Sequence, residues 1–81
     1  MEIVRVSAVW CSSCIIMKSR FNDVIKDKKI NVISLDYDTD DIIKYNIGTT
    51  LPVYIKMDNG KEIGRLKGEH TKGEIESFIG D

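Results

Sequence analysis

The chain is poor in several chemically distinctive residues. Its 81 residues include one proline (Pro52), one tryptophan (Trp10), one histidine (His70) and two cysteines (Cys11 and Cys14). Two cysteines and one histidine fall short of the four ligands of a structural zinc site, so zinc would need a second chain or a carboxylate. Neither charge dominates: 12 Lys and Arg stand against 13 Asp and Glu, a net charge of −1. No global basic field is available for nucleic acid or an anionic membrane, and the longest basic run is Lys28-Lys29. No apolar stretch approaches the roughly 20 residues of a spanning helix. Glu2 and Arg5 interrupt the opening residues, whereas a secretory signal carries an unbroken apolar run of roughly 7–15 residues. These absences predict a cytoplasmic protein with no nucleic-acid and no membrane partner. In that reducing compartment a structural disulfide is disfavoured. Two cysteines three apart then point to redox chemistry or metal.

What is present suits a folded domain. The composition is 42% hydrophobic and 31% charged, unlike the low-hydrophobicity, high-net-charge signature of disorder. The length predicts one domain over residues 1–81 with a small core. Residues 3–9 form an apolar, β-branched run with one charge, suited to a buried strand. A helix is predicted over 12–28, where Cys14, Met17, Phe21, Val24 and Ile25 recur at spacings of three and four and Lys26, Lys28 and Lys29 favour the C-terminal dipole. A second strand follows at 31–36. Asp38-Thr39-Asp40-Asp41 then reads as an acidic helix start, with Ile42, Ile43, Tyr45 and Ile47 giving a short helix that ends near Gly48. In a third strand, 51–57, Leu51, Val53, Ile55 and Met57 share a face. Asp58-Asn59-Gly60 marks a hairpin turn into a fourth strand at about 61–66. Thr71 and Glu74 have capping-box spacing and open a last helix with Ile75, Phe78 and Ile79 inward. The order β-α-β-α-β-β-α predicts an α/β fold: a four-stranded mixed sheet with helices on both faces, its first two strands parallel through a right-handed crossover.

Cys11 and Cys14 fall where the first strand gives way to the first helix. In open α/β sheets chemistry gathers at the carboxyl ends of parallel strands. The free N–H groups and partial positive charge of a helix N-terminus stabilise a thiolate, and the thiolate is the attacking species in disulfide exchange. Residues three apart lie on neighbouring turns of one helix face, so Cys14 reaches the Cys11 sulfur. The expected asymmetry is an exposed attacker, Cys11, and a buried resolver, Cys14. Two inert core cysteines are the plainer alternative, weakened by Trp10 and Ser12 flanking Cys11.

With these residues in view, the chain resembles the thioredoxin superfamily, and more narrowly its short thioredoxin-like proteins of bacterial type. The resemblance runs over nearly the whole chain. Ala8-Val9-Trp10-Cys11-Ser12-Ser13-Cys14 is similar to the family's active-site stretch. Thr50-Leu51-Pro52 with Val53-Tyr54-Ile55 resembles its proline-initiated strand, and Asp58-Asn59-Gly60-Lys61 its hairpin turn. The resemblance implies a βαβαββα thioredoxin-like or glutaredoxin-like fold. It implies a protein disulfide reductase with Cys11 and Cys14 as catalytic pair. Pro52 would be cis, and Trp10, Leu51 and Pro52 would bind substrate, Leu51 by strand addition. It further implies disulfide-containing protein substrates and a flavin-dependent, thioredoxin-reductase-like electron donor. No metal or organic cofactor is expected, and a monomer is.

The departures from the family pattern are specific. Ser12-Ser13 replaces the usual Gly-Pro between the cysteines. Arg5 occupies the position of a buried acid that helps deprotonate the second cysteine, and Ser34 that of its lysine partner. Ile15 follows Cys14 where many members are basic, and Ser19 replaces a helix-kinking proline. Two other functions stay open: a glutathione-linked, glutaredoxin-like reductase, for which Arg5 and Lys67 are the candidate groove cations, and a non-enzymatic binding module on the same fold. Among other residues, Arg5 otherwise reads as structural or snorkelled to the sheet edge. His70 reads as an exposed loop residue, and Tyr37 and Tyr45 as packing. The group Asp36, Asp38, Asp40 and Asp41 lacks calcium-loop spacing and reads as a solvated helix start.

Overall fold

Among the described residues the elements run β1 (Glu2–Ser7), α1 (Ser12–Ile25), β2 (Asn31–Asp36), a 3₁₀ turn (Ile43–Tyr45), β3 (Val53–Asp58), β4 (Lys61–Lys67) and α2 (Lys72–Gly80). The structure is a computed structural model that describes residues 1–80. The four strands form one mixed sheet in the order β2-β1-β3-β4. β1 runs parallel to β2 and antiparallel to β3, and β3 and β4 form the antiparallel hairpin. Pairing with β2 on one side and β3 on the other makes β1 a central strand, and its four residues from Ile3 to Val6 are all buried.

The period-2 alternation of the strands divides the core. On one face Ile3, Tyr54, Val32 and Leu66 pack against Met17 and Phe21 of α1 and Ile75 and Ile79 of α2. The rings of Phe21 and Tyr54 stack with centroids 4.3 Å apart. Such a pair contributes about 0.5–1.5 kcal/mol beyond burial of its area. On the opposite face Val4, Val6, Val53 and Ile55 pack against Ile47, with Leu35, Ile42, Tyr45, Leu51 and Met57 at the margin.

Both α-helices therefore share one face. The expected middle helix is a single 3₁₀ turn, so the second face is closed by that turn and its flanking loops instead. The physical reason lies in the acidic stretch, whose side chains cap short turns. Asp36 Oδ1 accepts from the N–H groups of Asp38 and Thr39, Asp40 Oδ2 from Asp36 N–H, and Asp41 Oδ1 from Ile43 N–H. Asn46 then enters the left-handed region at φ 52° and ends the turn. Ile43, expected on an apolar face, is 88% exposed.

Local signals place the remaining boundaries. Asn59 and Gly60 both have positive φ, 52° and 81°, as a two-residue hairpin loop requires. The capping box closes with Thr71 N–H donating to Glu74 Oε1 at 2.9 Å and Glu74 N–H to Thr71 Oγ1 at 3.2 Å. α1 ends at Ile25, a turn earlier than its lysines suggested. Lys28 N–H closes back on Ile25 C=O at 2.8 Å, so Lys28 and Lys29 lie beyond the helix.

Candidate active site

The site lies where β1 hands over to α1. Ala8, Cys11 and Cys14 form a small buried cluster, with Leu51 and Tyr37 packed against it. Cys11 is the N-cap of α1. Its backbone is extended (φ −99°, ψ 108°) and its Sγ accepts from Cys14 N–H at 3.2 Å. An N-cap side chain satisfies one of the unpaired N–H groups that open a helix. Here the acceptor is sulfur, so a free helix donor points at the atom that would carry the negative charge. Both cysteines are unbridged thiols.

The expected contrast in exposure is smaller than the sequence suggests. Cys11 is 9% exposed and Cys14 4%. The Cys11 side chain is not turned to solvent, because it folds back to cap its own helix and packs beside Ala8 and Leu51. The two thiols differ instead in environment. Burial pushes the Cys14 thiol up to about 11, and a hydrogen bond shared with Cys11 adds to the rise. Cys14 therefore holds its proton at neutral pH.

Around this pair the surface is apolar. Val9 is 84%, Trp10 63% and Ile15 66% exposed. Trp10 is nonetheless held in place. Its indole N–H donates to Asp38 Oδ2 at 2.6 Å, and its ring meets Tyr37 edge-on with centroids 6.3 Å apart. Tyr37 in turn donates from its hydroxyl to Gly48 C=O at 3.0 Å. Asp38 escapes the sequence reading, which counts it as part of a helix start, whereas Tyr37, expected to pack, does pack against Trp10 and the cysteine cluster. The alternation that aims Asp36 and Asp38 differently becomes visible only once the turn after β2 is known.

Leu51 and Pro52 stand on the other side of the cysteines. The Leu51–Pro52 peptide is cis, as the resemblance implied. Pro52 is buried just before β3, its C=O accepting from Gly68 N–H at 2.8 Å. Leu51 lies outside β3 and is paired with no strand of the sheet. The structure thus gathers Trp10, Cys11, Cys14 and Leu51 at one end of the sheet, with Pro52 behind Leu51.

Arg5 does not snorkel to an edge. β1 is central, so its side chain is held inside, 9% exposed. It donates to Ser34 Oγ at 2.7 and 3.2 Å and to Asn22 Oδ1 at 3.4 Å. Tyr54, its cross-strand neighbour on β3, keeps a buried hydroxyl without a hydrogen-bond partner. Burial pushes the Tyr54 hydroxyl up, while the Arg5 guanidinium partly opposes the rise. Arg5 is therefore unavailable as a cation at a surface groove. An open cleft of about 180 Å³ enters beside α1 and reaches Cys14, with Ser7, Ile15, Lys18 and Asp36 in its walls.

The sequence matches the Thioredoxin family model over residues 1–81. The chain belongs to the thioredoxin family. Among solved structures, thioredoxin-2 of the malaria parasite superposes with a TM-score of 0.86 at 18% identity, covering 98% of this chain and 80% of that one. Reduced Schistosoma mansoni thioredoxin gives 0.84 at 25% identity over 98% and 75%. Fasciola hepatica thioredoxin gives 0.86 at 22% over 98% and 77%. The α/β thioredoxin-like fold is thus shared at low identity. With the family's Cys-x-x-Cys pair at Cys11 and Cys14, this thioredoxin-family chain is a disulfide oxidoreductase of thioredoxin type. Among the described residues, no helix is long and apolar enough to cross a membrane.

Proposed function

We propose that residues 1–81 act as one domain, a short thioredoxin of the bacterial type, reducing protein disulfides with Cys11 as nucleophile and Cys14 as resolving thiol. The observation that carries the reading is the N-cap position of Cys11, with Cys14 N–H on its sulfur at 3.2 Å. A negative sulfur there gains a hydrogen bond and the favourable end of the helix dipole. The Cys11 thiolate attacks a substrate disulfide, forming a mixed disulfide and releasing one substrate sulfur as thiolate. Cys14 then loses its proton and attacks Cys11 Sγ. The second substrate sulfur leaves, and a Cys11–Cys14 disulfide remains. Two electrons pass to the substrate.

Trp10, Leu51 and Pro52 form the substrate groove. An extended segment would pair with the free Leu51 backbone by strand addition, while Val9 and Trp10 offer apolar contact. The dithiol supplies the electrons, so the step needs no metal or organic cofactor. A flavin-dependent, thioredoxin-reductase-like donor restores it, and the chain acts as a monomer in a reducing cytoplasm. The test is insulin disulfide reduction driven by dithiothreitol. Wild type should accelerate it and Cys11→Ser should not. Cys14→Ser should instead accumulate mixed disulfides. Equal rates for wild type and Cys11→Ser would refute the reading.

A further inference from the structure

Resolution by Cys14 poses a chemical problem that this chain must solve with its own residues. The thiol is buried and its proton is held up to about 11, yet only the thiolate attacks a disulfide. A base must take the proton. Arg5, the ionisable side chain of β1 on this face, has no lone pair for one and is already engaged with Ser34 and Asn22. Tyr54 of β3 is no better, since burial keeps its hydroxyl protonated.

The cleft between α1 and the ends of β1 and β2 offers what the interior lacks. Cys14 lies in its wall, and so do Asp36, Ser7 and Lys18. Asp36 ends β2, directly paired with Ser7 at the carboxyl end of β1. One of its oxygens, Oδ1, is occupied by the Asp38 and Thr39 N–H groups. Oδ2 takes part in no hydrogen bond among the described residues. The turn thus holds the carboxylate by one oxygen and leaves the other free, and the cleft that Asp36 lines is wide enough for water. The ionisable groups around the pair are Cys11 at the N-cap of α1, Lys18 on α1, Arg5 on β1, Asp38 and Asp40 after β2, and Tyr54 on β3.

We propose that Asp36 is the proton acceptor for Cys14, working through water in this cleft. The inference rests on the reading that Cys14 resolves the Cys11 mixed disulfide. The Cys14 proton passes by way of water to Asp36 Oδ2. The freed electron pair on Cys14 Sγ forms the new bond to Cys11 Sγ, and the bond from Cys11 to the substrate sulfur breaks. That sulfur departs with the electron pair, and Asp36 returns its proton to solvent or to the departing thiolate. Lys18, in the wall of the same cleft, is the cation on α1 nearest in sequence to Cys14 there.

A dinitrobenzoate disulfide, 5,5′-dithiobis(2-nitrobenzoate), separates the steps. Attack by Cys11 releases one coloured thiolate, and resolution by Cys14 releases a second. Stopped-flow absorbance on wild type and Asp36→Asn reads both phases. The asparagine keeps an Oδ1 acceptor for the turn, and thermal melting checks its fold. The second phase at pH 7 should slow by about tenfold or more, in the range of a lost general base. The first phase serves as internal reference. The deficit should shrink as pH rises toward the range where Cys14 ionises unaided, and Asp36→Glu should recover part of the rate. An unchanged second phase in Asp36→Asn would overturn the proposal. So would a deficit of constant size at every pH, which is the mark of a merely structural change. Absence of the first phase in wild type would instead defeat the reading of Cys11 as nucleophile.

Discussion

The two ends of the helix-covered face are built on opposite principles. Toward its middle and far end, large side chains fill the space: Phe21 and Tyr54 stack, and Ile3, Met17 and Ile75 are fully buried around them. At the cysteine end the buried cluster is three small residues, Ala8, Cys11 and Cys14. Large apolar side chains there, Val9, Trp10 and Ile15, point outward. One end spends its apolar surface on holding the fold, and the other keeps its surface for contact with another molecule. The lesson is that stability and chemistry are separable here, and substitutions should reveal it.

The largest contrast comes from Cys11→Ser. Disulfide reduction should fall to the uncatalysed background, while the melting temperature of the variant stays within a few degrees of reduced wild type. Insulin turnover and calorimetry check the two halves. A large loss of stability would show that the cysteine cluster is structural. Phe21→Ala is the converse. Removing a fully buried ring should cost about 3–5 kcal/mol, read from the urea midpoint, with dithiol chemistry intact in whatever fraction stays folded. A cost under about 1 kcal/mol would mean that the stacked pair is not the centre of the core.

Smaller effects sharpen the boundary between the regions. Asp38→Ala removes the acceptor of the Trp10 indole and frees that ring. The KM for a protein disulfide should rise several-fold, with little change in stability because both groups are exposed. A lowered kcat at constant KM would contradict the assignment of Trp10 to substrate contact. Thr71→Ala, at the remote capping box, should cost about 1 kcal/mol and leave activity alone.

A separate effect is one of pH. Folding raises the Cys14 thiol from 9.0 to about 11. The folded chain keeps that proton where the unfolded chain has lost it, so the contribution is whole below about pH 9 and disappears as pH climbs through about 11. The oxidised protein has no such thiol. Its stability advantage over the reduced protein should therefore grow between pH 9 and 11, measured by denaturant unfolding of both forms. A constant difference across that window would remove Cys14 from the account.

Much of this arrangement was legible beforehand where local chemistry decides it. The Asn59-Gly60 turn and the Thr71–Glu74 box act within four residues, and the stripe Cys14, Met17, Phe21 follows from helical period alone. The middle helix is not legible there, because Asp36, Asp38, Asp40 and Asp41 serve helix starts and tight turns equally well. Only the hydrogen bonds of Asp36, Asp40 and Asp41 to nearby N–H groups show which they do. Arg5 stays open between a structural and a snorkelled side chain for a different reason. One charge in an apolar run says nothing of whether its strand is central, and the order β2-β1-β3-β4 is a long-range outcome.

By itself, then, the amino-acid order determined the four strands, the first and last helices, the pair of sulfurs at a helix start and the turn residues, because each depends on neighbours a few positions away. Tertiary structure alone decided that both helices lie on one face. It also buried Arg5, brought Asp38 under Trp10, and placed Asp36 in a cleft beside Cys14. Those outcomes depend on which strands pair and how segments more than 20 residues apart meet. No periodicity or local spacing records that information.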